Sequence, residues 1–330
     1  MEKIDFVILW VDGSDEKWLQ EKSKYNAENA VSDSSEKFRD WDNLKYWFRG
    51  VEKYAPWVNN IFFITYGHLP TFLNVNHPKI KIINHKDYID EKYLPTFNSN
   101  VLDLNIHRIS GLSEKFVYFN DDVFIINDVV ESDFFEGDMV KEEFSEGPIT
   151  PLINDNFAYT MFNNVGIVNK YYDKKACISK NKNKLFNFKY GVTNNLRTIL
   201  CTPYKKFVGF GNPHICMPLK KEYVKRIWNV EHELCEDTCK NKFRNKNDIT
   251  LYLARYFQLL DGMFIPRSKK FGAYYSVSTD NSTIIKDIIE QKHKIICIND
   301  TKKKIDFEKE KNEINIAFEK ILPEKSSFEL

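Results

Sequence analysis

Two adjacent aspartates directly follow an apolar run that is typical of a buried strand. Residues 116–119 lead without interruption into Asn120, Asp121 and Asp122. Neighbouring carboxylates at a strand end supply the hard oxygen ligands that Mg²⁺ or Mn²⁺ prefers, and such a cation neutralises a diphosphate. An ordinary turn, in which the aspartates cap backbone amides, would use the same residues. We treat Asp121 and Asp122 as candidate metal ligands, Asp122 also as a candidate catalytic residue, and Asn120 as a candidate substrate contact.

A second acidic turn follows the apolar run at residues 5–11. Its backbone amides and carboxylates could surround a nucleotide, although local chemistry alone favours an ordinary strand-to-helix turn. The candidate substrate-binding residues of this turn are Trp10, Asp12, Gly13, Ser14 and Asp15.

Two further polar side chains in the second half of the chain are suited to catalysis. His214 lies in a predicted loop between Gly211 and Pro218, where an imidazole is available as a general acid or base. Arg244 precedes Asp248, which we expect to cap a helix, and a guanidinium there could grip a phosphate with two hydrogen bonds. A structural hydrogen bond for His214 and a surface salt bridge for Arg244 are the alternatives.

The elements that must position these residues alternate between strand and helix patterns. Residues 44–54 show helical spacing, whereas residues 61–65, 79–84 and 116–119 are short apolar runs typical of strands. This order predicts an α/β fold with a mainly parallel sheet and helices on both faces, followed by a less regular, mixed second half. Ligands of such sheets bind beyond the carboxyl ends of the strands, where both acidic turns are expected.

Charge, cysteine usage and hydropathy limit the classes of function. The formal charge of +1 over 330 residues argues against nucleic acid as a partner. The six irregularly spaced cysteines favour free thiols in a reducing compartment, and we recognise neither a signal peptide nor an apolar run long enough for a membrane span. These features predict a cytoplasmic protein.

Two segments leave a surface role open. The lysine-rich residues 169–189 could attract an anionic polymer, or simply be solvated. The amphipathic residues 314–322 could contact a membrane or a partner, although such stripes usually face the core.

Four groups of residues, taken in order, resemble the signature regions of the Stealth family of sugar-1-phosphate transferases. The first is residues 4–15 and the second begins at Arg39-Asp40 and ends at Asp122. The third and fourth look like Pro213-His214 with residues 244–248, and residues 297–300. Gly50 and Asp103 depart from the serine and glutamate that are usual in the family. The resemblance covers nearly the whole chain.

The resemblance implies a fold, a reaction and further contacts. The fold would be glycosyltransferase A-like, that is Rossmann-like. The reaction would transfer a hexose- or N-acetylhexosamine-1-phosphate from a nucleotide sugar, most simply a UDP-sugar, to a glycan hydroxyl in bacterial capsule or cell-wall synthesis. Mg²⁺ or Mn²⁺ would be the cofactor. Further implied substrate contacts are Arg39, Asp40, Arg49, Asn98 and Asn100. A metal-dependent glycosyltransferase that releases a nucleoside diphosphate, or a non-catalytic glycan-binding protein, would be the alternative.

We expect residues 1–330 to form one catalytic unit. Residues 1–140 would bind the nucleotide sugar, residues 141–300 would complete the active site, and residues 301–330 would form an amphipathic tail. The expected partners are the nucleotide-sugar donor and the glycan acceptor. Contact with the inner face of the membrane or with capsule-assembly machinery stays open, as does the oligomeric state.

Overall fold

Strands and helices both build the first half of the chain. The computed structural model describes residues 3–25, 39–153, 155–301 and 304–330. The strands are β1 (Ile4–Leu9), β2 (Ile61–Thr65), β3 (Ile80–Asn84), β4 (Lys115–Phe119), β5 (Val123–Ile125), β6 (Phe135–Glu136), β7 (Met139–Glu142), β8 (Met217–Lys220), β9 (Phe264–Pro266), β10 (Gly272–Ser276) and β11 (Ile295–Asn299). The helices are α1 (Glu16–Tyr25), α2 (Leu44–Tyr54), α3 (Ser99–Asn105), α4 (Asn156–Tyr171), α5 (Lys174–Leu185), α6 (Gly191–Cys201), α7 (Lys221–Val230), α8 (His232–Lys240), α9 (Tyr252–Leu260), α10 (Ser282–Ile289) and α11 (Phe307–Ile321).

A five-stranded sheet forms the centre of the fold. Its strand order is β3-β2-β1-β4-β8, in which the first four strands run parallel and β8 runs antiparallel to β4. Strands β2 and β4 are buried along their whole length, as their continuous apolar sequences predict for strands covered on both faces. The α/β prediction with a mainly parallel sheet is therefore confirmed.

Two three-stranded sheets accompany the central sheet, and one of them brings a distant segment to the carboxyl end of β4. One has the order β10-β11-β5 and the other β6-β7-β9. Because β11 pairs antiparallel with β5, Cys297 lies opposite Val123, the residue that follows Asp122. The mixed second half agrees with the less regular pattern that the sequence shows there.

Helix α2 packs unusually closely against β5. A Cβ atom added to Gly50 would lie 2.5 Å from the carbonyl oxygen of Ile125, which is too short for any side chain. The serine that is usual in the family at this position would force the helix outward, so glycine permits the close contact here.

The C-terminal helix α11 is part of the core. Ile314 and Phe318 are fully buried and Ile321 nearly so, which confirms the core-facing interpretation of this amphipathic segment. Among the described residues, no helix is both long enough and apolar enough to cross a membrane.

Candidate active site

Both acidic turns leave the central sheet at the same edge. Strands β1 and β4 are parallel neighbours in which Ile8 lies opposite Phe119. The segments that follow them, residues 10–15 and 120–122, therefore emerge side by side at the carboxyl ends of the strands. This is the edge at which open α/β sheets bind their ligands.

Asp122 lies between two segments from the second half of the chain. Its Oδ2 is 3.4 Å from Nε2 of His214 and accepts a hydrogen bond from the Cys297 thiol at 3.3 Å. Its backbone carbonyl accepts from the amide of Ile298 at 2.8 Å. Its Oδ1 is buried and accepts no hydrogen bond from the residues that the structure describes. An unpartnered, buried carboxylate oxygen is costly for a folded protein unless a ligand uses it.

Asp121 is the second carboxylate of this cluster. Its side chain is open to solvent on one side, yet surrounding protein atoms remove part of its hydration and the charge of Asp122 repels its own. Dehydration, followed by this repulsion, raises the pKa of Asp121 to about 7, against opposing effects of Arg244 and His214. A bound cation would favour the ionised form of both carboxylates.

A chain of hydrogen bonds links Asn120 to Tyr118 and Asp103 on one side and to His214 on the other. The Tyr118 hydroxyl lies 2.9 Å from both Oδ1 of Asp103 and Oδ1 of Asn120, and Nδ2 of Asn120 lies 3.5 Å from Nε2 of His214. Burial raises the pKa of Asp103 to about 7. Sequence reasoning missed the roles of Tyr118 and Asp103, although the i, i+2 spacing of Tyr118 and Asn120 could have indicated a shared side of the chain.

Arg244 is an exposed residue whose charge acts on the acidic cluster. Its Nε and Nη2 donate to the Ser99 hydroxyl at 3.0 and 2.6 Å, and its charge lowers the pKa values of Asp103 and Asp121. Arg244 makes no salt bridge with a described carboxylate, so the surface-salt-bridge alternative finds no support there. The charges of Arg244 and His214 therefore both act on the Asp121 carboxylate.

Asp248 holds the Arg244 loop and does not cap a helix, which corrects our expectation. Helix α9 begins at Tyr252 without a side-chain cap. The buried Asp248 carboxylate instead accepts from the amides of Asn98, Asn100 and Asn241 at 2.8, 3.0 and 2.7 Å. Asn98 and Asn100 are themselves buried, and these bonds direct their amide groups into the protein. In the structure they hold the Arg244 loop, and their expected contact with a substrate stays a prediction.

The first acidic turn uses its carboxylates locally. Oδ1 of Asp12 accepts from the amide and hydroxyl of Ser14 at 2.8 and 2.6 Å, and Oδ1 of Asp15 accepts from the amide of Trp18 at the start of α1. These contacts are those of the ordinary strand-to-helix turn.

His68 joins this turn to the end of β2. Its Nε2 accepts from the Asp12 amide at 2.7 Å, and its ring packs edge-on against Trp10 with centroids 5.3 Å apart. Burial lowers the pKa of His68, which suits a neutral ring that accepts a hydrogen bond at Nε2. The turn, with Gly13, is held at the sheet edge beside the acidic cluster.

Two arginines that we expected at the substrate are engaged elsewhere. Arg39 pairs with Asp300 through two hydrogen bonds, one of 2.9 Å from Nε, and donates to the Thr301 carbonyl. Arg49 is nearly buried and pairs with Glu329 at 2.9 and 3.0 Å and with Glu319 at 3.1 Å. Carboxylates and carbonyls from residues 300–329 thus satisfy both guanidinium groups. These bonds connect the first part of the chain to its last part. Asp40, also expected at the substrate, is exposed and accepts from the amide of Asp42.

The residues at the end of β4 fit a divalent cation in part. Ligand atoms of Asp122, His214 and Cys297 all lie within 4.8 Å of one another. Burial and the neighbouring aspartates raise the pKa of the Cys297 thiol far above its usual range, and the thiol donates its hydrogen bond to Asp122. A soft sulfur ligand suits neither Mg²⁺ nor Mn²⁺. The unpartnered Oδ1 of Asp122 and the Asp121 carboxylate supply hard oxygens, which suits Mg²⁺ or Mn²⁺ better than zinc.

The fold and the site together define an α/β protein with an acidic cluster beyond the carboxyl ends of parallel strands. Two family models match the chain. The model of Stealth protein CR1, conserved region 1, matches residues 2–30, and that of Stealth protein CR2, conserved region 2, matches residues 37–143. The chain belongs to the Stealth family, as the resemblance predicted.

Relatives of nearly the same length support this membership. The chain is 46% identical over 332 residues to the capsular polysaccharide phosphotransferase WcwK of Streptococcus pneumoniae, covering 100% of this chain and 98% of the relative. It is 39% identical to the exopolysaccharide phosphotransferase cps2G of Lactiplantibacillus plantarum, covering 99% and 96%. It is 35% identical to the receptor polysaccharide phosphotransferase WefC of Streptococcus gordonii, covering 100% of both.

Solved structures with a partial likeness are glycosyltransferases. The galactosyltransferase LgtC aligns with a TM-score of 0.36 at 10% identity, over 89% of this chain and 86% of LgtC. Mouse xyloside xylosyltransferase 1 aligns with a TM-score of 0.33 at 11% identity, over 89% and 97%. Similarity at this level does not by itself establish a common activity.

Proposed function

We propose that the chain is a phosphotransferase that moves a hexose- or N-acetylhexosamine-1-phosphate from a nucleotide sugar to the hydroxyl of a glycan. The observation that carries the proposal is the 46% identity, over the whole chain, to a capsular polysaccharide phosphotransferase. The acidic cluster at the ends of β1 and β4 supports it, because phosphoryl transfer depends mainly on positioning and charge stabilisation. The product would be a phosphodiester-linked bacterial polysaccharide, and UDP is the nucleotide we expect.

In the proposed reaction the acceptor hydroxyl oxygen attacks the phosphorus next to the sugar. The bond from phosphorus to the nucleoside monophosphate breaks, and the bond between the anomeric carbon and its oxygen survives. Asp121 and Asp122 would hold Mg²⁺ or Mn²⁺, which neutralises the diphosphate when bound. Arg244, whose guanidinium is oriented by Ser99, would stabilise the charge on the departing phosphate.

His214 is our candidate for the general base. Its Nε2 lies 3.4 Å from Oδ2 of Asp122 and 3.5 Å from Nδ2 of Asn120. These two side chains orient the imidazole ring. Its side chain is one-third exposed, which leaves the imidazole accessible to an acceptor hydroxyl. Asn120, Trp10 and Gly13 would contact the donor at the edge of the sheet.

Identification of the released nucleotide tests this proposal. The purified chain would be incubated with nucleotide sugars, Mg²⁺ or Mn²⁺, and short glycan acceptors, with an EDTA-treated sample as control. We expect a nucleoside monophosphate, a phosphodiester signal in the ³¹P spectrum of the glycan, and loss of both with EDTA. Release of a nucleoside diphosphate would instead identify a conventional glycosyltransferase, and turnover that survives EDTA would contradict the metal assignment.

A further inference from the structure

Helix α6 presents its apolar side to solvent. Phe188, just before the helix, is 86% exposed, Val192 is 84% exposed and Leu200 is 65% exposed. With Leu196, Ile199 and Tyr204, each more than half exposed, they follow i, i+4 and i+7 spacing and form one continuous band, which we call the apolar stripe. A contiguous apolar surface of this kind marks an interaction site more often than scattered single residues do.

The opposite side of α6 is polar where it faces the protein. The buried residues of the helix are Thr198 and Cys201. The Thr198 hydroxyl accepts from the amide of Glu146 at 3.0 Å and donates to the carbonyl of Asn194 at 2.9 Å. A surface helix of a globular protein normally has the reverse arrangement, with its apolar side on the core. The bond from the Glu146 amide joins α6 to the rest of the protein, whereas the bond to Asn194 lies within the helix.

The segment that contains the apolar stripe is strongly basic. Between Asp173 and Glu222 there is no acidic residue, whereas the same residues include eleven lysines and arginines and the formal charge of the whole chain is only +1. Lys189, Arg197, Lys205 and Lys206 lie within or directly beside the stripe and are exposed. An exposed apolar band flanked by basic side chains is typical of helices that lie in the interface of an anionic membrane.

We propose that the apolar stripe docks on the surface of an anionic lipid bilayer, with its flanking lysines and arginine on the headgroups. A second copy of this chain is a poorer occupant, because a symmetric contact would place the two basic rims against each other. The other amphipathic candidate, α11, has Ile314, Phe318 and Ile321 in the core and exposes only Ile316 among its isoleucines, so it offers no apolar band for this role.

Docking through the stripe would hold the candidate active site near the membrane. Tyr204 precedes His214 by ten residues, a distance that an extended chain spans with at most about 35 Å. Residues between them are bonded to residues 145–149, so the connection is ordered rather than free. A glycan acceptor that is attached to lipid would then be presented close to the cluster of Asp121, Asp122 and His214.

Vesicle co-sedimentation tests the proposal without relying on the reaction. The full chain would be mixed with vesicles of equimolar phosphatidylglycerol and phosphatidylcholine, and separately with pure phosphatidylcholine. We expect sedimentation with the anionic vesicles that weakens with salt. The double variant L196D/L200D should bind at least about tenfold more weakly, because two leucines lose their apolar burial. The variant K205Q/K206Q should lose about fivefold per lysine, as expected for a basic residue at an anionic surface.

Matched controls separate docking from misfolding and from self-association. Ile316 on α11 is also exposed, so I316D should bind vesicles like the unmodified chain. Thermal unfolding should be unchanged in all variants, since their side chains already face solvent. If L196D/L200D were less stable than the unmodified chain, vesicle binding by K205Q/K206Q alone would test the proposal. Absence of binding to anionic vesicles, equal binding by the lysine variant, or a lipid-free dimer that L196D/L200D dissociates would each overturn the proposal.

Discussion

Two clusters of charged side chains in this protein are built in opposite ways. In the closed cluster, Glu142 on β7 pairs with Arg255 through a short hydrogen bond and with Arg267 at 2.7 Å, and all three side chains are buried. In the open cluster, Asp121 and Asp122 lie together, one oxygen has no described partner, and His214 faces the pair from the cleft. Arg255 also donates to the carbonyl of Gly211 at 3.1 Å, close to His214 in the chain.

The difference shows how the fold divides its charges between stability and ligand binding. Buried charges are tolerated when each is paired. In the closed cluster both arginines pair with Glu142, and Nη1 of Arg267 is the one atom of the three side chains that is buried without a described hydrogen-bond partner. The open cluster leaves repulsion and an unsatisfied oxygen in place, which a cation and a phosphate can relieve. The closed cluster in turn fixes the loop that brings His214 to the open one.

The largest expected effect is that of Asp122→Asn on turnover. Loss of a charged oxygen that we propose to bind the cation should lower turnover on the order of a thousandfold, as removal of one key electrostatic group does elsewhere. The Tm should not fall, because the substitution also relieves repulsion with Asp121. Steady-state kinetics and calorimetry would check both. A large drop in Tm together with normal turnover would reverse the roles assigned to the two clusters.

Glu142→Gln should act on stability instead. Removing the negative charge leaves Arg255 and Arg267 buried without their counter-ion, at a cost of about 3 kcal/mol in the free energy of unfolding. Urea denaturation would measure it. Glu136→Gln is the matched control, because Glu136 pairs with Lys141 at the exposed surface and should leave the denaturation midpoint unchanged. Equal midpoints for the two variants would show that the closed cluster is not stabilising.

Arg244→Gln should reduce turnover roughly a hundredfold without loss of stability, since it removes the exposed cation that we propose to bind the phosphate. Ser99→Ala removes the hydroxyl that orients the guanidinium and should give a smaller loss of the same kind. Initial rates at saturating donor would rank the variants. A Ser99→Ala enzyme as impaired as Arg244→Gln would mean that Ser99 does more than orient Arg244.

The smallest expected effect concerns the pH dependence of stability and comes from His85. Unlike the closed and open clusters, His85 is a single buried titratable group that stays neutral. Burial lowers the pKa of His85 to about 4, below its ordinary value of 6.5, so protonation favours the unfolded chain. Stability is therefore retained above pH 6.5 and lost as pH falls toward 4, by about 2 kcal/mol at pH 5. In His85→Asn, the difference in unfolding free energy between pH 7 and pH 5 should shrink by that amount. The exposed His232→Asn serves as control.

Much of the central sheet was predictable because its signals are local. The run at residues 116–119 indicated a buried strand, and the aspartates that follow it were identified as candidate ligands from their position alone. The closed cluster was not predictable, since Glu142 and Arg255 are 113 residues apart and neither belongs to a local pattern. Arg244 and His214 were chosen for their side-chain chemistry and also match the family resemblance, and the tertiary structure places His214 3.4 Å from Asp122.

The sequence by itself determined the parallel α/β core, the acidic residues at its edge and the membership of a family. These features depend on apolar periodicity and signature residues, which are local in the sequence. Only the tertiary structure decided which polar residues face the cleft and which are used internally. Asn98 and Asn100 look like substrate contacts in sequence but bind Asp248, and Arg49 binds Glu329, 280 residues away. The physical reason is that a buried polar group must find a partner, and that partner is set by packing between distant segments.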